Sequence, residues 1–108
     1  MKRIAVLVVI LSFCALVRAQ DEAASLFNAY CRPCHDINGD GKTSAGQMMS
    51  IPDLRSMEVQ KLSDDELFQR IGNGAKHKQY PHAFLKRGVS DAQVRQLVTY
   101  LRSLKAKN

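Results

Sequence analysis

The 108-residue chain predicts an all-α fold on three observations. Ser90-Asp91-Ala92-Gln93 is an S-x-x-Q capping box, and after it Val94, Leu97, Val98, Leu101 and Leu104 fall on one helical face. Ser63-Asp64-Asp65-Glu66 is a second capping box, S-x-x-E, leading into Leu67, Phe68 and Ile71. No stretch alternates apolar and polar residues as a half-buried strand does.

Taken in order, the first nineteen residues read as an export signal. Lys2 and Arg3 give a positive start, Ile4 to Leu16 a short apolar run, and Val17-Arg18-Ala19 a small-residue cleavage site. The run is too short to span a bilayer comfortably. Phe13 before Cys14 argues against a lipid anchor, so the mature chain is expected to be periplasmic or otherwise exported, without stable membrane insertion. Residues 20–108 form one small domain of 89 residues. Loss of Lys2, Arg3 and Arg18 from 16 basic residues, against 10 acidic ones, lowers the formal charge from +6 to +3. So small an excess gives little support to nucleic-acid binding, but it can steer an acidic partner. A monomer is expected. With no tryptophan and few aromatics, a domain of this size calls for a staple or a bound hydrophobic centre.

A helix is expected from about Asp21 to Tyr30, with Leu26 and Phe27 as core residues. It leads into Cys31-Arg32-Pro33-Cys34-His35, a C-x-x-C-H run whose spacing reads as a covalent haem c site. Two thiols three residues apart can reach two vinyl groups on one porphyrin edge, and the next histidine can bind the iron. Cys14 leaves with the signal, so the three cysteines become the two that the haem needs. Two other chemistries compete. A dithiol redox site would use Cys31 and Cys34 alone, but such sites follow a strand. A zinc site from Cys31, Cys34, His77 and His82 has too long a gap between its pairs and leaves His35 without a role.

The next segment, Asp36-Ile37-Asn38-Gly39-Asp40-Gly41, opens like a calcium loop, but Gln47 stands where the bidentate glutamate belongs. Gly39 and Gly41 are better read as turn residues, with Asp36 and Asn38 making local hydrogen bonds. A helical turn is expected at Gln47 to Ser50, with Met48 and Met49 packing rather than ligating iron. Another is expected around Met57 to Leu62. The capped middle helix should end at Gly72-Asn73-Gly74. Residues 75–84 lack periodicity. In the terminal helix Arg95, Arg102 and Lys105 fall mostly opposite the apolar stripe, and the last of these suit the negative C-terminal end of the helix.

Leu26-Phe27, the C-x-x-C-H run, the glycine-rich loop, the capped helix ending in Ile71-Gly72-Asn73-Gly74 and the terminal helix with Tyr100-Leu101 together resemble a small class I bacterial cytochrome c. The resemblance covers nearly all of the mature chain. It implies a few helices wrapped around one covalent haem c with its iron, Cys31 and Cys34 as thioethers, His35 as proximal ligand, and Tyr100-Leu101 packing the last helix on the first. It assigns no function to Pro33.

The chain departs from that family at the distal ligand. Tyr80-Pro81-His82-Ala83-Phe84 stands where the family has methionine, proline and an aromatic, and no methionine follows Met57. His82 is the leading distal candidate, because imidazole suits both iron oxidation states. Tyr80 and His77 are the alternatives. The expected function is single-electron transfer between redox proteins, not catalysis, at a lower potential than a methionine-ligated relative. If the distal face is open, binding of diatomic gas or peroxide is expected instead.

Overall fold

In the computed structural model, residues 2–75 and 82–105 are described, and side chains within them from 8 to 14 and from 17 onward. All regular structure among the described residues is helical. The elements are α1 (Lys2–Leu26), a π-turn (Phe27–Cys31), α2 (Arg32–His35), α3 (Ser44–Met48), α4 (Met57–Gln60), α5 (Asp64–Gly72), a 3₁₀ turn (Phe84–Arg87) and α6 (Asp91–Lys105).

α6 organises the core, as its apolar stripe requires. Val94, Leu97, Val98, Leu101 and Leu104 are all buried, against Phe27, Leu54, Val59, Leu67, Phe68 and Phe84. Burial of one such side chain contributes roughly 1.5–3 kcal/mol. The Phe27 and Tyr100 rings meet at 5.0 Å, so the start and end of the domain cross where Tyr100-Leu101 was expected to pack. Gln93 ties the same crossing together. Its Oε1 accepts from the Ser90 N–H at 2.9 Å, while its Nε2 donates to Glu22 Oε1 at 2.7 Å.

Both capping boxes form. The Ser63 hydroxyl accepts from Glu66 N–H and the Glu66 carboxylate from Ser63 N–H, and Ser90 and Gln93 repeat the arrangement. α5 ends at Gly72, where Gly74 turns the chain at φ +72°. α4 is shorter than expected.

Three expectations change. The helix before the cysteines extends upstream to Lys2 and gives way to a π-turn at Phe27, where a plain helix to Tyr30 was expected. Pro33 supplies the reason: its ring clashes with the carbonyl four residues back in a continuous α-helix and it has no N–H to donate. The wider turn, closed by Arg32 N–H donating to the Phe27 carbonyl, avoids that clash. Second, α3 begins at Ser44, because the Thr43 hydroxyl caps it by accepting from Gly46 N–H. Third, Met48 does not pack but is 86 % exposed. α3 buries Gly46, and a residue two positions on points to the opposite side.

Arg102, opposite the apolar stripe of α6, is a clamp between elements. Its guanidinium donates to the Gln60 carbonyl at 2.8 Å, to the Leu62 carbonyl, and to Asp64 Oδ1 at 2.8 Å. It thereby satisfies carbonyls at the end of α4 and pairs with the start of α5.

Candidate haem site

The C-x-x-C-H residues sit where the π-turn hands over to α2. Cys31, Cys34 and His35 are all half-buried. Burial, and secondarily the neighbouring Cys34, pushes the Cys31 thiol up to about 12. It is therefore a protonated thiol at neutral pH, opposite to the depressed thiol that a dithiol oxidoreductase uses as nucleophile.

Backbone contacts hold this segment in place. Thr43 Oγ1 donates to the Cys34 carbonyl at 2.8 Å, and Gly41 N–H donates to the His35 carbonyl at 2.9 Å. Gly46 lies so close that a Cβ there would stand 2.3 Å from the Gly41 oxygen and 2.4 Å from the Cys34 oxygen. Only glycine lets α3 approach this near. Asp36, directly after His35, takes φ 65° and ψ 165°, a region almost confined to glycine, as the chain leaves α2.

The loop that follows is a set of turns. Asp36 Oδ1 accepts from Ile37 N–H at 2.7 Å and Asp40 Oδ1 from Lys42 N–H at 3.0 Å. Gly39 and Gly41 take φ +75° and +70°, as turn residues do. Asp36 thus serves a local turn as expected, and the second such bond is made by Asp40, where Asn38 was expected. Among the described residues no group of three or more His, Cys, Asp or Glu side chains could hold a metal ion.

His82 comes from a different part of the chain and meets His35. Their ring centres are 6.1 Å apart and their planes differ by 27°. Both Nδ1 atoms are shut off from solvent. His82 also lies 5.7 Å from Phe84, itself buried and 5.5 Å from Tyr30. Ala83, between them, is left-handed at φ 42°, ψ 39°, so the chain turns sharply from the imidazole into the 3₁₀ turn. His77 and Tyr80, the other distal candidates, lie outside the described residues, and with His77 so does one of the four ligands of the zinc reading.

The donor set fits haem c. Two thiols one helical turn apart precede the first imidazole, and a second imidazole stands 6.1 Å from it. That spacing would leave room for one iron to take a nitrogen from each imidazole. Cys31 and Cys34 would hold the porphyrin, and His35 would bind its iron.

Helical fold and thiol–imidazole run together define a class I mono-haem cytochrome c domain. The chain belongs to the family described as cytochrome c oxidase, cbb3-type, subunit III, whose model matches residues 18–101. Its members bind covalent haem c with iron. No curated protein and no solved structure matches the chain significantly. No helix among the described residues is long and apolar enough to cross a membrane.

Proposed function

We propose that this protein is an exported single-electron carrier, with haem c attached through Cys31 and Cys34 and the iron held between His35 and His82. The observation that carries the reading is the imidazole pair, 6.1 Å apart with both Nδ1 atoms buried. The haem, when bound, supplies a one-electron ferric/ferrous couple. Everything else is the work of this chain's residues. His35 is fixed by the backbone clamp behind it, and His82 keeps the distal face covered against gas or peroxide. Phe84, Phe27 and the α6 stripe exclude water, which limits solvent reorganisation around the changing charge.

Two imidazoles favour the ferric state more than an imidazole and a thioether do, so the reduction potential falls below that of a histidine–methionine relative. Partners are redox proteins, and the family's description as an oxidase subunit supports a respiratory complex among them. The apolar, positively started leader supports export. The decisive experiment is the visible spectrum of the purified, reduced protein before and after carbon monoxide. A haem c spectrum that carbon monoxide leaves unchanged is expected. A rapid shift would replace this reading with gas binding at an open site.

A further inference from the structure

Arg87 has no part in the site as described, yet its guanidinium stands over two rings, one from each segment that carries the site. Its Cζ lies 4.8 Å from the centre of the Phe84 ring and 5.5 Å from that of Tyr30, and those two rings lie 5.5 Å apart. Tyr30 directly precedes Cys31, and Phe84 comes two residues after His82, whose ring it meets at 5.7 Å. A guanidinium within about 6 Å of a ring is attracted by the ring's quadrupole, so Arg87 draws on both rings at once. The cation thereby links the segment that would hold the porphyrin to the segment that brings the second imidazole.

The chain places Arg87 there for a local reason. Phe84 and Arg87 are the first and last residues of the 3₁₀ turn, and side chains three apart in such a turn eclipse. Val89 N–H closes the turn by donating to the Phe84 carbonyl at 3.1 Å, and left-handed residues flank it, Ala83 at φ 42° and Gly88 at φ 92°. Arg55, Arg95 and Arg102 each pair with an aspartate, whereas the described residues give Arg87 no carboxylate that would draw it off the rings.

We propose that Arg87 is a positioning residue for the distal imidazole: its guanidinium latches Tyr30 to Phe84, and Phe84 in turn keeps the His82 ring turned toward His35. This rests on the reading in which His82 binds the iron. The latch acts on how long His82 stays bound and not on whether the haem is attached, since the backbone contacts behind Cys34 and His35 lie outside it.

The test is displacement of His82 by cyanide in the oxidised, haem-loaded protein, followed in the Soret band. At saturating cyanide the observed rate is that at which His82 leaves the iron, because cyanide takes each site as it opens. Arg87→Gln is expected to raise that rate by about threefold, the factor that loss of one exposed cation–π contact implies. Arg87→Lys should fall between the two, since an ammonium keeps the charge but not the planar stack. Lys86→Gln, the same loss of charge one residue earlier, should leave the rate alone. Tyr30→Leu should also raise it, and Arg87→Gln on top of Tyr30→Leu should add little, because both break one link. Apart from ligand exchange, the nuclear Overhauser contact between the Phe84 and His82 rings of the reduced protein should weaken in Arg87→Gln, while Tm by circular dichroism stays close to that of wild type. A wild-type exchange rate with an unchanged Overhauser contact in Arg87→Gln would overturn the proposal. So would an equal effect of Lys86→Gln, which would make the effect one of net charge, or full multiplication of the Arg87 and Tyr30 effects. His82→Ala tests the underlying reading and should take cyanide far faster than any of these. A His82→Ala protein that takes cyanide at the wild-type rate would end that reading, and the latch with it.

Discussion

The two imidazoles are supported by opposite means. On the His35 side the main chain is the scaffold: the Cys34 and His35 carbonyls each accept a hydrogen bond from the loop, and Gly46 presses its backbone against them. On the His82 side rings and a guanidinium, Phe84, Tyr30 and Arg87, give support, set by one left-handed residue, Ala83. A backbone scaffold tolerates almost no change of shape but depends little on which side chains surround it. A ring scaffold tolerates substitution and changes ligand behaviour when substituted. The first region should therefore set whether the haem is held, and the second how the iron behaves.

The sharpest way to break that contrast is at Gly46. A Cβ placed 2.3 Å from one backbone oxygen and 2.4 Å from another cannot be accommodated by a side-chain rotation. Gly46→Ala should cost about 3 kcal/mol, the upper end for overpacking. In a domain of this size that lowers Tm by roughly 12 °C or more, measured by circular dichroism. The yield of haem-loaded protein should fall with it. A Gly46→Ala protein as stable as wild type would show that the His35 side is not a backbone scaffold.

His82→Ala should do the converse. The thioethers and His35 remain, so covalent haem should survive denaturing electrophoresis, while the reduced protein gains rapid carbon monoxide binding and a shifted Soret band. Lost ring contact with Phe84 should add about 1 kcal/mol of destabilisation. An unchanged spectrum without carbon monoxide binding would move the distal ligand to His77 or Tyr80.

Thr43→Val is smaller and returns to the first region. It removes the donor to the Cys34 carbonyl and the acceptor for Gly46 N–H while keeping the volume. Loss of one cap and one clamp should cost about 1–2 kcal/mol. The carbon monoxide response should not change, because the hydroxyl acts on holding and not on ligand exchange.

The same contrast explains what the sequence made legible. The His35 side is read directly because its chemistry is contiguous, five residues with a fixed spacing. His82 was reached only by ranking candidate donors in a segment without periodicity, since nothing local says that residue 82 faces residue 35. The capped helices and the α6 stripe are local patterns and appear as expected. The clamp made by Arg102 was not legible, because its partners, Gln60, Leu62 and Asp64, lie about forty positions away, and helical spacing alone cannot tell a clamp from a solvated cation. The π-turn did leave a signal. Pro33 two residues after Cys31 is incompatible with an unbroken helix from Asp21, and weighing that clash would have placed an irregular turn before the motif.

The finest test concerns the loop that backs the His35 side. Leu54 N–H donates to the Gly39 carbonyl at 2.8 Å, and Leu54 is flanked by Asp53 and Arg55, which pair with each other at 2.9 Å. The hydrogen bond from the Arg55 side chain holds the Asp53 carboxyl below its usual range. A carboxylate whose folded value is depressed stabilises the fold above its unfolded value, about 4, and that contribution disappears as pH falls through the lower folded value. Because the pair is partly exposed, its worth at neutral pH is at most about 1 kcal/mol. Asp53→Asn should therefore lower Tm by a few degrees at pH 7 and make no difference once pH has fallen below the depressed folded value and wild-type Asp53 is itself protonated. The spectrum and carbon monoxide response should stay fixed throughout. A shift in either would mean that strain in this loop reaches the distal ligand, and the two regions could no longer be treated as independent.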